Sequence, residues 1–139
     1  MIPRNPQFEA ACRAAFNRQG LMQTFGASIS AIAPGLFEIK APISPAVSQQ
    51  HGYGHAGLTF AIGDSAAGFA AQTLIGADQS VLTVEMKINL MAPAQGTQLV
   101  ANGRVLRAGR RVSTVETDVF DDQNRQVARL LGTMMILDG

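Results

Sequence analysis

The hydrophobic positions of this chain follow a helical period in its first half and an alternating period in its second half. Near the N-terminus Phe8, Cys12 and Phe16 recur at helical spacing, which predicts a helix from Pro6 to Gln19. Gly20 supplies the C-terminal stop of this helix. The sequence therefore opens with an N-terminal helical segment, residues 1–20.

Six further segments have the features of β-strands. Apolar and polar residues alternate most regularly from Val81 to Leu90, as expected for a strand with two different faces. Turn pairs such as Pro34-Gly35 and Ala108-Gly109 separate neighbouring segments. One face of the strand at residues 81–90 is predicted to carry Leu82, Val84, Met86, Ile88 and Leu90. The predicted strands are residues 27–33, 36–42, 81–90, 98–107, 112–120 and 125–137.

A long helix is predicted from Ala56 to Ile75. Leu58 and Ile62 mark one side of it, and most of the remaining residues are alanine or glycine. A helix that is apolar or small on every side is typical of a buried helix. Gly63 and Gly68 in its interior each cost about 1 kcal/mol relative to alanine, so we expect other backbone to approach closely there.

The order of these elements predicts an α+β fold. A helix and two strands come first, the buried helix follows, and four strands complete the chain. This order fits one antiparallel sheet of about five to six strands wrapped around a long central helix. The length of 139 residues suits a single domain over residues 1–139.

The composition of the chain limits the kinds of binding partner that we expect. Hydrophobic residues make up 47% of the chain and the net charge is +1, so charge gives no reason to expect nucleic acid or a membrane surface. We expect a cytoplasmic protein, because no signal-peptide pattern or long apolar run is present. Cys12 lies in a helix-like segment and is expected to be buried rather than nucleophilic. Two histidines and one cysteine without ligand spacing predict no metal.

The segment Gly52–Gly57, GYGHAG, fits the G-x-G-x-x-G pattern of dinucleotide-binding loops. Such a loop follows an apolar strand inside a βαβ unit. Here the preceding residues 44–51 are largely polar, and hairpin-connected strands follow the helix. We therefore interpret the glycines as serving a helix start, whose free amide groups and dipole can polarise a carbonyl.

Asp64 is a carboxylate inside the predicted buried helix. Such a group is costly to bury, and burial can tune it towards general-base chemistry. A structural ion pair or a solvent gap is the alternative. Gly57 and Asp64 share one helix face but lie roughly 10 Å apart along the axis. They cannot act on one carbonyl within one chain, so we expect a site shared between two antiparallel copies in a homodimer.

Three segments together resemble the PaaI-like acyl-CoA thioesterases of the hotdog-fold superfamily, over about residue 21 to the end. The first, from Gln49 to Gly68, contains His55-Ala56-Gly57 and an acid nine residues after the histidine. The second, LTVEMKINLMAPAQG, ends in Pro93-Ala94-Gln95-Gly96, and the third is RVLRAGRRVSTVETDVFD. The chain departs from the family pattern at Ala56, at Gly63 and at Gln49, where relatives often have glycine, alanine and asparagine respectively.

The resemblance implies a role for each matching residue. Asp64 would be the general base or the nucleophile, and the Gly57 amide would polarise the thioester carbonyl. Gln49 would orient the water or the carbonyl, and Thr83 falls where relatives often have a hydroxyl that positions water. His55 would support the loop and the thioester pocket, or would only anchor the loop before the helix.

The resemblance also implies the partners. The substrate would be an acyl-CoA, with Pro93 at the pocket and with Arg110 and Arg111 near the nucleotide of coenzyme A, because guanidinium groups suit phosphates. The alternative for the arginines is a solvated hairpin tip. Coenzyme A would be part of the substrate, so no separate cofactor is expected. The homodimer is expected to pair further into a homotetramer.

The sequence thus predicts a thioesterase that hydrolyses a small aryl- or alkyl-CoA to free acid and CoA. Two alternatives stay open. One is a hotdog-fold hydratase or dehydratase acting on an acyl thioester. The other is a non-catalytic acyl-CoA binding module, which would not depend on Asp64. The sequence does not distinguish aryl from alkyl acyl groups.

Overall fold

A computed structural model describes residues 1–139, and its architecture is a six-stranded antiparallel sheet around one long helix. The order along the sheet is β1-β2-β4-β5-β6-β3, so β1 and β3 are its two edges. The helices are α1 (Phe8–Asn17), α2 (Gly20–Thr24) and α3 (Ala56–Gln72). The strands are β1 (Ser28–Ala33), β2 (Leu36–Pro42), β3 (Gln79–Leu90), β4 (Gln98–Ala108), β5 (Val112–Asp121) and β6 (Gln126–Asp138). The predicted α+β fold is confirmed.

The central helix α3 packs against one face of the sheet, chiefly against β4, β2 and β5. Small residues on both sides allow this contact. A Cβ atom added at Gly103 of β4 would lie 2.3 Å from the carbonyl group of Ala66. The close backbone approach that the helix glycines predict is therefore made by a sheet glycine instead. At Gly63 a Cβ would meet the side chain of Leu130, and at Gly68 it would meet only Met134 at 3.8 Å.

The sequence predicts one continuous apolar face along β3. This prediction is wrong for the N-terminal half of the strand. The register of β3 against β6 shifts between Thr83 and Glu85, which makes Val84 the extra residue of a β-bulge. A bulge reverses the sides on which the following residues lie. Leu82 and Val84 are exposed as a result. Thr83 turns towards α3, whereas after the bulge Met86 packs against the core.

The N-terminal segment differs from its prediction in one respect. Gly20 does not end a helical region but begins α2, a second short helix. Cys12 of α1 is fully buried, and burial raises the pKa of its thiol to about 11. A thiol with so high a pKa is almost entirely protonated at neutral pH, so the interpretation of Cys12 as a buried packing residue holds. No helix of the chain combines the length and the hydrophobicity needed to cross a bilayer.

Candidate active site

The loop before α3 is closed by the side chain of Gln49. Its Oε1 atom accepts hydrogen bonds from the backbone amides of His51, at 2.6 Å, and of Tyr53, at 3.2 Å. The backbone N–H of Gln49 also donates to the Tyr53 carbonyl at 2.8 Å. Two backbone N–H donors require an oxygen acceptor, so the side-chain oxygen is committed to the loop. The Nε2 group has no partner in the chain and is the part of Gln49 that can act on a ligand.

His55 is the N-cap residue of α3. Its Nδ1 atom accepts a hydrogen bond from the Gly57 amide at 2.7 Å. Nδ1 is therefore unprotonated, and in the neutral ring the proton lies on Nε2. The Gly57 N–H group, which the sequence predicts to polarise a carbonyl, is thus already occupied by His55. The Ala56 amide at the same helix start donates to no atom of the chain.

The turn after β3 supports this loop. The Gly54 amide donates to the Ala94 carbonyl at 2.7 Å. A Cβ atom added at Gly54 would lie 3.1 Å from the Cβ of Ala94, so a larger residue at either position would push loop and turn apart. Pro93 lines the cavity that forms between them.

We name this space the helix-start cavity. Its volume is about 530 Å³, within the range of small-molecule sites. One wall is apolar and comes from the end of β3 and the turn after it. The loop and the first turns of α3 contribute the polar groups. The lining residues are Gln49, Tyr53, Gly54, His55, Ala56, Thr59, Leu90, Met91, Ala92, Pro93, Ala94 and Val127.

Asp64 lies half-buried two turns further along α3. Its Oδ1 atom accepts a hydrogen bond from the Thr83 hydroxyl at 2.8 Å, and no arginine, lysine or histidine forms an ion pair with it. Burial raises the pKa of Asp64 above its usual value, and the Thr83 hydrogen bond lowers it in part. The site therefore holds a carboxylate that is more basic than a solvated one.

A second and smaller cavity lies beside Asp64, and we name it the aspartate cavity. Its volume is about 210 Å³. Ser65, which follows Asp64 on α3, also lines this cavity. Its hydroxyl donates to Oε1 of Gln19 at 3.2 Å, which brings the α1–α2 junction against the catalytic candidate. The other lining residues are Gly68, Phe69, Gln72, Val81, Leu82, Thr83 and Met134.

The predicted site residues fall into two separate sets. Gln49, His55 and Pro93 line the helix-start cavity. Asp64 and Thr83 line the aspartate cavity, and the two cavities share no residue. Gly57 belongs to neither set, because it lines neither of these cavities. Gln19, Thr59 and Gln72 are site-lining residues that no motif of the sequence indicates.

The predicted phosphate-binding arginines lie at the far end of α3. Arg110 and Arg111 are exposed and line a cavity of about 300 Å³ together with Gln79 and Asp138. Neither arginine forms an ion pair. Arg104, from the same hairpin, is instead bound to Glu116 and Asp118 on the outer face of the sheet. Arg110 and Arg111 are thus free to meet an anionic ligand, whereas Arg104 is not.

The dinucleotide alternative does not fit this structure. No strand enters the glycine segment, which follows a single 3₁₀ turn at Pro45–Val47. All strand pairs are antiparallel, so a βαβ unit is absent. Gly52 adopts a left-handed φ of +87°, as a loop turn requires. No group of three or more histidine, cysteine, aspartate or glutamate side chains is placed to hold a metal ion.

Sheet, helix and site together define a hotdog-fold thioester hydrolase. The family model of the thioesterase superfamily matches residues 51–128, more than half of the chain. The chain belongs to this superfamily. The resemblance to PaaI-like thioesterases is thereby confirmed.

Several known proteins are similar to this chain in sequence or in structure. A thioesterase family protein from Silicibacter pomeroyi is 36% identical, with 95% of this chain and 99% of that chain covered and a TM-score of 0.92. The 1,4-dihydroxy-2-naphthoyl-CoA hydrolase of Listeria monocytogenes is 24% identical over 76% of this chain and 86% of its own length. The Escherichia coli PaaI protein, from the phenylacetic acid degradation operon, shares the fold at 16% identity. Its TM-score is 0.89, with 98% and 97% of the two chains covered.

Proposed function

We propose that this protein hydrolyses a small aryl- or alkyl-CoA thioester to the free acid and CoA, with Asp64 as the general base. The observation that carries the proposal is the state of Asp64. It is a half-buried carboxylate with a raised pKa, one hydroxyl partner and no cation. A carboxylate without a neutralising cation keeps its capacity to take up a proton. The curated relative that acts on a naphthoyl-CoA supports the substrate class.

The reaction follows from this chemistry. Water bound beside Asp64 attacks the thioester carbonyl carbon and gives one proton to the carboxylate. The tetrahedral intermediate then breaks its carbon–sulfur bond, and the protonated Asp64 returns the proton to the leaving CoA sulfur. Thr83 holds the carboxylate through Oδ1, which leaves Oδ2 to face the water. Direct attack by Asp64, through a mixed anhydride that water cleaves, uses the same residue.

The carbonyl oxygen develops negative charge and needs donors. We assign this role to the start of α3, where the Ala56 amide is free and the Gly57 amide can exchange His55 for the substrate. Such an exchange replaces one hydrogen bond by another, so its net cost is small. The Nε2 group of Gln49 adds a side-chain donor from the loop. The helix dipole favours negative charge at the same place.

A homodimer would unite the two sets of residues. In this proposal a second copy places its α3 antiparallel to the first, so that Asp64 of one subunit faces the helix start of the other. The free edge at β3, with Leu82 and Val84 exposed, supports this arrangement, because long apolar edge strands favour pairing with another chain. A further pairing of dimers into a homotetramer extends the same proposal. Arg110 and Arg111 would bind the phosphates of coenzyme A.

Thiol release from a panel of acyl-CoA esters tests the hydrolysis. The wild type is expected to release CoA, and Asp64→Ala is expected to release almost none. Equal activity of the two proteins would remove Asp64 from the mechanism and leave the binding-module alternative for any ester that binds. A product with an altered carbon chain but an intact thioester would instead indicate a hydratase or dehydratase.

A mixing experiment tests the shared site. Gln49→Glu keeps the oxygen that closes the loop but removes the Nε2 donor, and Asp64→Ala removes the base. In a heterodimer of these two inactive variants, one site regains both intact groups. A random mixture is then expected to recover about a quarter of the wild-type activity. Gln50→Glu, a change at the neighbouring exposed residue, is the matched control and should stay active. A mixture that recovers nothing would place each site within one chain.

A further inference from the structure

The hydroxyl of Thr59 is the one buried side-chain polar atom of the chain without a hydrogen-bond partner. Thr59 lies on the first turn of α3, is only 1% exposed, and lines the helix-start cavity. Leaving a buried hydroxyl without a partner is destabilising. Native proteins rarely contain such a group without a reason, which is often a role in function.

The helix does not satisfy this hydroxyl in the structure. A threonine inside a helix commonly bonds the carbonyl four residues earlier, which here belongs to His55. That carbonyl already accepts the amides of Leu58, at 3.0 Å, and of Thr59, at 3.3 Å. A carbonyl oxygen has two lone pairs, and both are in use.

Two other buried threonines show the contrast. Thr73, at the end of the same helix, donates to the Ala70 carbonyl and accepts the Gly35 amide, both at 2.7 Å. Thr117 of β5 donates to the Gly63 carbonyl at 2.9 Å. Buried hydroxyls in this fold are thus satisfied where they face the protein. The unsatisfied one belongs to a residue that lines a cavity large enough for a ligand.

The chemistry of the helix-start cavity defines the ligand that would complete Thr59. Leu90, Met91 and Val127 contribute apolar surface, whereas Gln49 and His55 lie at the helix start. An acyl group with a flat or compact apolar body fits this wall. One oxygen on that body would meet the Thr59 hydroxyl, which can donate or accept.

We infer that Thr59 is a specificity-determining residue, whose hydroxyl binds a hydroxyl or carbonyl oxygen carried on the acyl group of the substrate. The inference rests on the proposed thioester hydrolysis at the neighbouring helix start. It predicts that acyl groups with one such oxygen are preferred over groups of the same size that have a methyl in its place. A site that hydrogen-bonds a substrate oxygen discriminates strongly against an analogue that lacks it.

Pairs of benzoyl-CoA esters, with either a hydroxyl or a methyl at the same ring position, test the preference. The measured quantity is the ratio of kcat/KM for the two members of each pair. In the wild type the ratio should favour the hydroxyl at one ring position. Thr59→Val, which has the same shape without the oxygen, should reduce the ratio about tenfold, whereas Thr59→Ser should retain it.

Thermal unfolding supplies the second readout. Thr59→Val breaks no hydrogen bond of the free protein, so its melting temperature should equal or exceed that of the wild type. Thr73→Val is the matched control on the same helix. It removes two hydrogen bonds and should lower the melting temperature, with the substrate ratio unchanged.

Two results would overturn the inference. One is an unchanged ratio in Thr59→Val at every ring position. The other is a fall in melting temperature equal to that of Thr73→Val without a change in ratio, which would mean that the assembled protein satisfies the hydroxyl. If no ester is hydrolysed, calorimetric binding of the same pairs separates the two proposals. A hydroxyl preference that disappears in Thr59→Val would then uphold the role of Thr59 and reject the hydrolysis.

Discussion

Two aspartates of this chain, Asp118 and Asp64, lie in opposite electrostatic settings. Asp118, on the outer face of the sheet, accepts hydrogen bonds from Arg104 and Arg129, both at 2.8 Å, and from Gln126 at 2.6 Å. Burial acts to raise the pKa of Asp118, but these bonds and charges outweigh it and the pKa is lowered. Asp64 has one hydroxyl partner, and its pKa is raised.

The difference separates a structural carboxylate from a reactive one. The arginines around Asp118 hold it ionised and take up its lone pairs, so it stabilises the sheet and cannot accept a proton near neutral pH. Asp64 is poorly compensated, which destabilises its charged form and leaves it able to act as a base. Four experiments test this contrast, from the largest expected effect to the smallest.

Asp64→Asn should cause the largest change, a loss of about 10²- to 10⁴-fold in kcat/KM, as expected when a general base is removed. Asparagine keeps the shape and the bond to Thr83 but cannot take up the proton from water. Steady-state thiol release measures the effect. The matched variant Asp118→Asn should keep the wild-type kcat/KM per folded molecule. An equal loss in both variants would erase the distinction between the two aspartates.

Thr83→Val should shift the pH dependence. The Thr83 hydrogen bond lowers the pKa of Asp64, so its removal should raise that pKa further. The base is active only when ionised, so activity falls as pH decreases through the pKa of Asp64. The acid limb of the kcat/KM profile should therefore move to higher pH in Thr83→Val, and Thr83→Ser should restore it. A profile that stays in place would contradict the role of Thr83.

Asp118→Asn should affect stability rather than rate. The change weakens the bonds to two arginines whose side chains are 32% and 52% exposed, so solvent screening limits the loss to about 1–2 kcal/mol in the free energy of unfolding. The lowered pKa of Asp118 means that its contribution is present above the unfolded pKa and is lost as pH falls through the folded pKa. Urea unfolding at neutral and acid pH measures both. A variant as stable as the wild type would show that the network is energetically neutral.

The smallest expected effect is a gain in stability from Asp64→Asn. The raised pKa of Asp64 means that its charged form opposes folding at neutral pH. The contribution of this group is most favourable below the unfolded pKa and is lost as pH rises through the folded pKa. Asp64→Asn should therefore melt about one to three degrees above the wild type at pH 7, with a smaller difference in acid. A lower melting temperature at pH 7 would mean that the ionised carboxylate is compensated in the assembled protein.

The general fold could be predicted because the determining signals are local. The alternating strands and the all-apolar helix from Ala56 express hydrophobic burial, which the order of residue types records. Asp64 could be found for the same reason, since a carboxylate among alanines and glycines breaks the pattern. The element boundaries at Gly20 and at the end of α3 were less accurate, because tertiary contacts decide where a helix frays or restarts.

The remaining features depend on backbone geometry that residue types do not record. The bulge at Val84 arises from the pairing of β3 with β6, and alternation alone cannot reveal it. The His55 cap on Gly57 and the double use of the Gln49 oxygen depend on loop conformation. The lack of a hydrogen-bond partner for the Thr59 hydroxyl depends on how the first turn of α3 is packed and bonded. Each is a question of hydrogen-bond accounting, which needs coordinates.

The bulge at Val84 divides β3 into two parts that are out of phase. Before the bulge, Thr83 turns inward and donates a hydrogen bond to Asp64. After the bulge, Met86 turns inward and packs against the core. In a regular strand, side chains three residues apart point to opposite faces, so Thr83 and Met86 could not both face α3. Because Val84 is an extra residue, the side-chain directions before the bulge and after it are set separately. Sequence change in the packing half can thus accumulate without rotating the hydroxyl away from Asp64.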